Sequence, residues 1–177
     1  MKQLLTTYKS ALFFVLKFVL LYVVMNVLYA LYVNAYLPGP DAITKLVTRQ
    51  TSYILQVLGE ETSSTPSAER AYVYLSTPES GNVLSVYEGC NAINVVIIFL
   101  AFLLALPFNQ VLLWFVPLGL LIIHLSNLAR IALLYFVSLH YPDAMYFVHK
   151  YLFTAFIFAV VFVLWFWYVK RYVRLHE

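Results

Sequence analysis

The order of apolar and polar positions divides the chain into four long apolar runs and one polar interval. Ala11 to Leu37 is apolar apart from Lys17 and Asn26. A span needs roughly 20 residues for a hydrocarbon core of about 30 Å. A signal peptide's apolar core is only about 7–15 residues, so a retained first helix is predicted over residues 11–37. Lys17, near its start, can snorkel to the nearer interface. Pro38-Gly39-Pro40 ends the run. In Ala42 to Leu58, capped by Asp41, Ile43, Leu46, Val47, Ile54 and Leu58 alternate with Thr44, Lys45, Arg49 and Gln50. That pattern is amphipathic and too polar to span, so it predicts a helix on the membrane surface. In the polar interval, residues 59–88, Ala71–Leu75 and Asn82–Val86 favour strands. Thr77-Pro78-Glu79-Ser80-Gly81 reads as the turn of a hairpin between them.

The second span, residues 91–108, has a charge-free body from Ala92 to Phe108. Pro107 and Asn109-Gln110 turn the chain. Val111 to Leu139 follows, about 43 Å long as a helix, which fits one long or tilted span. His140-Tyr141-Pro142-Asp143 breaks it. Ala144 to Val169 is the last span, with Trp165, Trp167 and Tyr168 placed as an aromatic belt before Lys170 and Arg171. The expected fold is an all-α polytopic membrane protein. It has about four transmembrane helices, one amphipathic surface helix and a small extracytoplasmic β-hairpin.

Composition narrows the class. The chain of 177 residues is 63% hydrophobic and 11% charged, with mean hydropathy +0.84. Soluble domains carry roughly 25% charge, so this is an integral membrane protein. Helices fit better than a lipid-facing barrel, because the long runs lack two-residue alternation. Net charge is +3. No basic patch with interleaved aromatics points to nucleic acid. The single cysteine excludes an internal disulfide and a paired-cysteine metal site. Lys2, Lys9, Lys170, Arg171 and Arg174 flank the outermost ends, so both termini are expected in the cytoplasm. Seven acids (Asp41, Glu60, Glu61, Glu69, Glu79, Glu88 and Asp143) then fall outside.

That topology sets the depth of the odd residues. Cys90, in Glu88-Gly89-Cys90-Asn91, lies at the outer mouth of the second span. Arg130 lies about 28 Å up the third span from Val111, in its outer third. His149 lies near the outer end of the fourth. Each has a bland reading: an inert buried thiol, an arginine that snorkels or pairs with Glu88, an interfacial histidine. Together, at one depth on three consecutive helices, they form a candidate site. Ser126 and Asn127 share the Arg130 face. Asn94 and Glu88 are placed beside Cys90 as lining residues. A thiolate is a nucleophile, and a helix N-terminus or a cation lowers its pKa. Histidine can take and return the proton. A fixed guanidinium can stabilise an oxyanion. The set fits acyl transfer at a peptide or similar carbonyl, to water or to another nucleophile. His124 is expected in a helix–helix hydrogen bond. His140 is expected in a wet loop, as an alternative to His149. A metal held by Cys90, His140 and His149 is a weaker reading; no metal or other cofactor is expected.

Three pieces in order resemble the exosortase/archaeosortase family of membrane cysteine transpeptidases. They are Glu88-Gly89-Cys90-Asn91, Asn127-Leu128-Ala129-Arg130-Ile131, and His149 opening the last helix. The resemblance covers roughly Tyr87 to Tyr168, and the short length is similar to the F-type branch found in Bacteroidetes. It implies Cys90 as nucleophile, His149 as general acid/base and Arg130 as oxyanion stabiliser. It also implies a plasma-membrane enzyme with its site at the extracytoplasmic face. The partner would be a substrate protein with a C-terminal transmembrane sorting signal. The acceptor would be water, a glycolipid or a polysaccharide component. Two features depart from the family: one span precedes the cysteine where many members have more, and Phe153 stands where many have glycine. The competing readings are a non-enzymatic membrane subunit, with Arg130 and Glu88 paired and the thiol inert, and a small transporter.

Overall fold

The computed structural model describes residues 9–173. Lys2 and Arg174, used above for orientation, lie outside the described residues. The elements are α1 (Lys9–Asn34), α2 (Ala42–Val57), β1 (Ser63–Pro66), β2 (Val73–Thr77), β3 (Gly81–Val86), α3 (Ile93–Ala105), α4 (Leu112–His140) and α5 (Pro142–Tyr172). Among the described residues three helices, α1, α4 and α5, are long and apolar enough to cross a membrane. The fourth apolar helix, α3, has only 13 residues, about 20 Å. It is shorter than its apolar run at both ends. Leu106 is drawn into extended backbone (φ −71°, ψ 160°) ahead of Pro107. At the other end Ala92 takes a left-handed conformation, φ 65°, which stops the helix from starting sooner.

Aromatic contacts give the helix directions. Phe14, early in α1, meets Phe102, late in α3, at 5.6 Å between centroids. Trp165, late in α5, stacks on the same Phe102 at 4.3 Å. Phe115, early in α4, packs on Tyr168 of α5 at 5.0 Å. Successive helices therefore run antiparallel, and these aromatics gather at one end. Their core is made by Phe99, Leu103, Phe115, Ile123, Ile157, Val161 and Tyr168. Gly119 lets α4 approach closely here: a Cβ would meet Phe99 Cζ at 2.2 Å. The outward faces of α1 are exposed apolar side chains, as a lipid-facing helix requires.

The opposite end carries the polar interval. It folds as a three-stranded antiparallel sheet, β1-β2-β3, where the sequence predicted a two-stranded hairpin. The strand missed is Ser63–Pro66, whose serines and proline carry no apolar pattern. Gly81, at φ 65°, closes the β2–β3 turn. Leu75 and Val86 bury against α2 and α4, forming a second core with Val47, Leu55, Leu128, Ile131 and Tyr135. The α2 face that packs inward is largely Thr44, Thr48, Thr51 and Ser52. The predicted apolar side is split, because Leu46 and Leu58 face outward. Small hydroxyl residues permit close approach, and Thr48 and Thr51 satisfy themselves by donating to Thr44 and Val47 carbonyls.

Candidate active site

Cys90 ends a single tight turn, Glu88–Cys90, between β3 and α3. Its amide donates to the Tyr87 carbonyl at 2.8 Å. Asn91, the next residue, is 3% exposed and fully used. Its Nδ2 donates to Tyr29 Oη at 2.8 Å and to Thr44 Oγ1 at 3.0 Å. Its Oδ1 accepts the Ile93 amide at 3.0 Å. Thr44 in turn donates to Asp41, which caps α2 through the Ile43 and Thr44 amides. Asn91 thus pins the Cys90 turn to α1 through Tyr29 and to the start of α2 through Thr44 and Asp41. Buried polar groups that are all satisfied specify one geometry. Tyr29 and Thr44 were not singled out from sequence; Tyr29 is one of 15 tyrosines with no local signal.

From α4, Asn127 is completely buried and donates Nδ2 to the Cys90 carbonyl at 2.9 Å. It lies beneath the cysteine as a support. Arg130, one turn further and 6% exposed, lies on the same face. Among the described residues its Nε and the Asn127 Oδ1 have no hydrogen-bond partner. Among the described residues Arg130 forms no ion pair with Glu88, so the structural pair of the non-enzymatic reading is not made. A buried guanidinium without a carboxylate keeps its charge available to a neighbouring anion.

From α5, His149 brings Nε2 to 3.7 Å from Cys90 Sγ. It sits in a π-helical turn, Val148–Leu152. Such turns shift a side chain's direction and recur at functional sites. With its proton on Nδ1, His149 can accept the thiol proton at Nε2. Cys90 and His149 line a cleft of about 450 Å³ with Leu84–Tyr87, Ile131, Leu134, Pro142, Met145 and Tyr146.

The thiol's electrostatics differ from the sequence expectation. Burial pushes Cys90 above its ordinary pKa; the Arg130 charge and a Tyr87 backbone hydrogen bond oppose this, and Glu88 adds to the rise. Asn91 Oδ1 takes the first α3 amide, that of Ile93, so that donor is not offered to the sulfur. The remaining candidates are placed as follows. Glu88 is half-buried in the turn, and Asn94 is exposed. His140 is the exposed last residue of α4, its Nδ1 3.0 Å from the Phe136 carbonyl. His124 lines a separate groove with Arg49 and Gln50 of α2. No hydrogen bond of its side chain is made among the described residues. No cluster of three or more His, Cys, Asp or Glu among the described residues is placed to hold a metal.

Fold and site together define a multi-pass membrane protein with a cysteine–histidine pair at one end of its helices. Residues 3–167 match the family model of the transmembrane exosortases, and the chain belongs to that family. No curated protein and no solved structure matches it.

Proposed function

We propose that this exosortase is a cysteine peptidase or transpeptidase. It would act on a surface-sorted protein near that protein's C-terminal membrane anchor, through a thioester on Cys90. The observation that carries the reading is the 3.7 Å approach of His149 Nε2 to Cys90 Sγ on the wall of an open cleft. Burial keeps the resting thiol protonated. His149 takes the proton as sulfur attacks the substrate carbonyl. The negative charge on the tetrahedral oxygen is stabilised by Arg130, in a site where few competing charges weaken it. The C–N bond breaks, the departing amine takes the proton from His149, and the acyl group remains on sulfur. Water, or a hydroxyl or amine of a glycolipid or polysaccharide acceptor, then attacks the thioester. Its proton passes to His149, and the thiol is regenerated.

The same reading places the site at the extracytoplasmic face of a bacterial inner membrane, with both termini inside. The antiparallel packing of α1, α3, α4 and α5 supports four crossings, with α3 the short one. The test is processing of a co-expressed reporter that carries a C-terminal transmembrane anchor, by the wild type and by Cys90→Ala. Loss of processing with the variant present in the membrane at wild-type level is expected. Undiminished processing removes Cys90 as nucleophile.

A further inference from the structure

Among the described residues β3 is an edge strand, paired only with β2. Its side chains alternate between two faces, so a cavity against one face would touch every second residue. The cleft instead touches four consecutive residues, Leu84, Ser85, Val86 and Tyr87. It therefore meets the strand's edge, where backbone N–H and C=O groups point outward. At Val83 that edge is closed, because Ser138 Oγ donates to the Val83 carbonyl at 2.8 Å. From Leu84 to Val86 no backbone hydrogen bond outside the β2 ladder is made among the described residues.

Exposed edges are usually protected by shortness, proline or charge. The opposite edge follows that rule: β1 has four residues and ends in Pro66. β3 has six residues, Gly81-Asn82-Val83-Leu84-Ser85-Val86, without proline or charge. The open stretch leads through Tyr87 straight into the Cys90 turn. Facing it across the cleft are the mainly apolar Ile131, Leu134, Met145 and Tyr146, with His149 at the end.

We infer that the open edge of β3 seats the substrate as an added strand: an extended polypeptide segment pairs with Leu84–Val86 and delivers its next carbonyl to Cys90. This rests on the peptidase reading above and names how that site holds its substrate. Main-chain pairing supplies affinity, and alternate side chains enter the apolar wall. The direction follows from topology. β3 runs toward the apolar helices and Cys90, and a substrate with a C-terminal anchor enters the membrane in the same sense. The added strand is therefore parallel to β3.

The probe is a hexapeptide of alternating valine and threonine ending in a chloromethyl ketone. Cys90 sulfur displaces its chloride to form a thioether. Labelling of full-length protein in lipid nanodiscs is followed by mass, for the parent peptide and for a series with one backbone N–H methylated at a time. Iodoacetamide serves as the small control. A lost hydrogen bond is worth about 0.5–1.5 kcal/mol, or about two- to tenfold. Methylation at one alternating set of positions is expected to slow labelling by that factor and to leave the intervening set unchanged. A flat series, or equal loss at every position, overturns strand addition. So does a peptide-reversible dimer, which would give the edge to a second copy of the chain. The two readings fail separately. Reporter cleavage that survives complete iodoacetamide labelling of Cys90 refutes the nucleophile itself. A flat series with alkylation-sensitive cleavage refutes only the seat.

Discussion

Asn127→Ala separates support of the Cys90 turn from support of the fold. The asparagine is wholly buried, makes one hydrogen bond at 2.9 Å to the Cys90 carbonyl, and leaves Oδ1 unpartnered. Truncation removes a bond of about 0.5–1.5 kcal/mol and orphans the carbonyl, at about 1–3 kcal/mol. It also removes the buried Oδ1, which already carries a similar penalty. The terms largely offset in the global balance, so the expected change in overall stability is under about 2 kcal/mol. Locally they do not offset, because the Cys90 turn loses its anchor to α4. Opening of that turn should become about two- to tenfold more frequent. Two probes at opposite ends of the molecule read the two effects. The only cysteine reports the turn through its iodoacetamide labelling rate. The three tryptophans, Trp114, Trp165 and Trp167, pack among aromatics at the far end and report global melting by fluorescence. Labelling should accelerate about two- to tenfold with the tryptophan transition nearly unmoved, while reporter cleavage falls. An unchanged labelling rate refutes the support. A melting loss large enough to account for the faster labelling refutes its local character.

Other outcomes follow from the same geometry. Ala92→Gly should stabilise the protein by about 1 kcal/mol, since glycine adopts φ 65° without the Cβ penalty; a lower melting temperature would contradict that. Gly119→Ala should destabilise by about 1–3 kcal/mol, because its Cβ meets the Phe99 ring, and tryptophan fluorescence would show the shift. Labelling of Cys90 should rise with pH into the alkaline range, because burial raises its pKa. Its linkage has the matching sign: the thiol's contribution to stability is complete below the unfolded pKa and is lost as pH rises through the higher folded value. A Cys90→Ala variant should lack that alkaline component in its melting profile. Arg130→Lys should reduce cleavage at least tenfold if the planar fork positions the oxyanion, measured with expression held equal.

Sequence by itself determined what hydropathy and local chemistry can carry. The apolar runs of α1, α4 and α5, the Asp41 cap and the Pro107 stop are written in single stretches, because water and lipid sort residues without reference to distant contacts. Glu88-Gly89-Cys90-Asn91, Asn127–Ile131 and His149 stood out as candidates because polar types are uncommon in and beside apolar runs. Tertiary structure decided the rest. It formed β1 from a serine-rich segment by giving it β2 as a partner. It turned α2's threonines inward, because close packing against α4 favours small side chains over Leu46. It placed Asn127, 37 residues away in sequence, under the Cys90 carbonyl and left Asn94, four residues from the cysteine, exposed. Asn91 took the Ile93 amide at the start of α3, and burial and the Arg130 charge act on the sulfur in opposite directions. Which atoms meet across 59 residues, as Cys90 and His149 do, depends on how helices pack. A π-helical turn or a left-handed Ala92 changes that packing with no pattern in the chain to announce it.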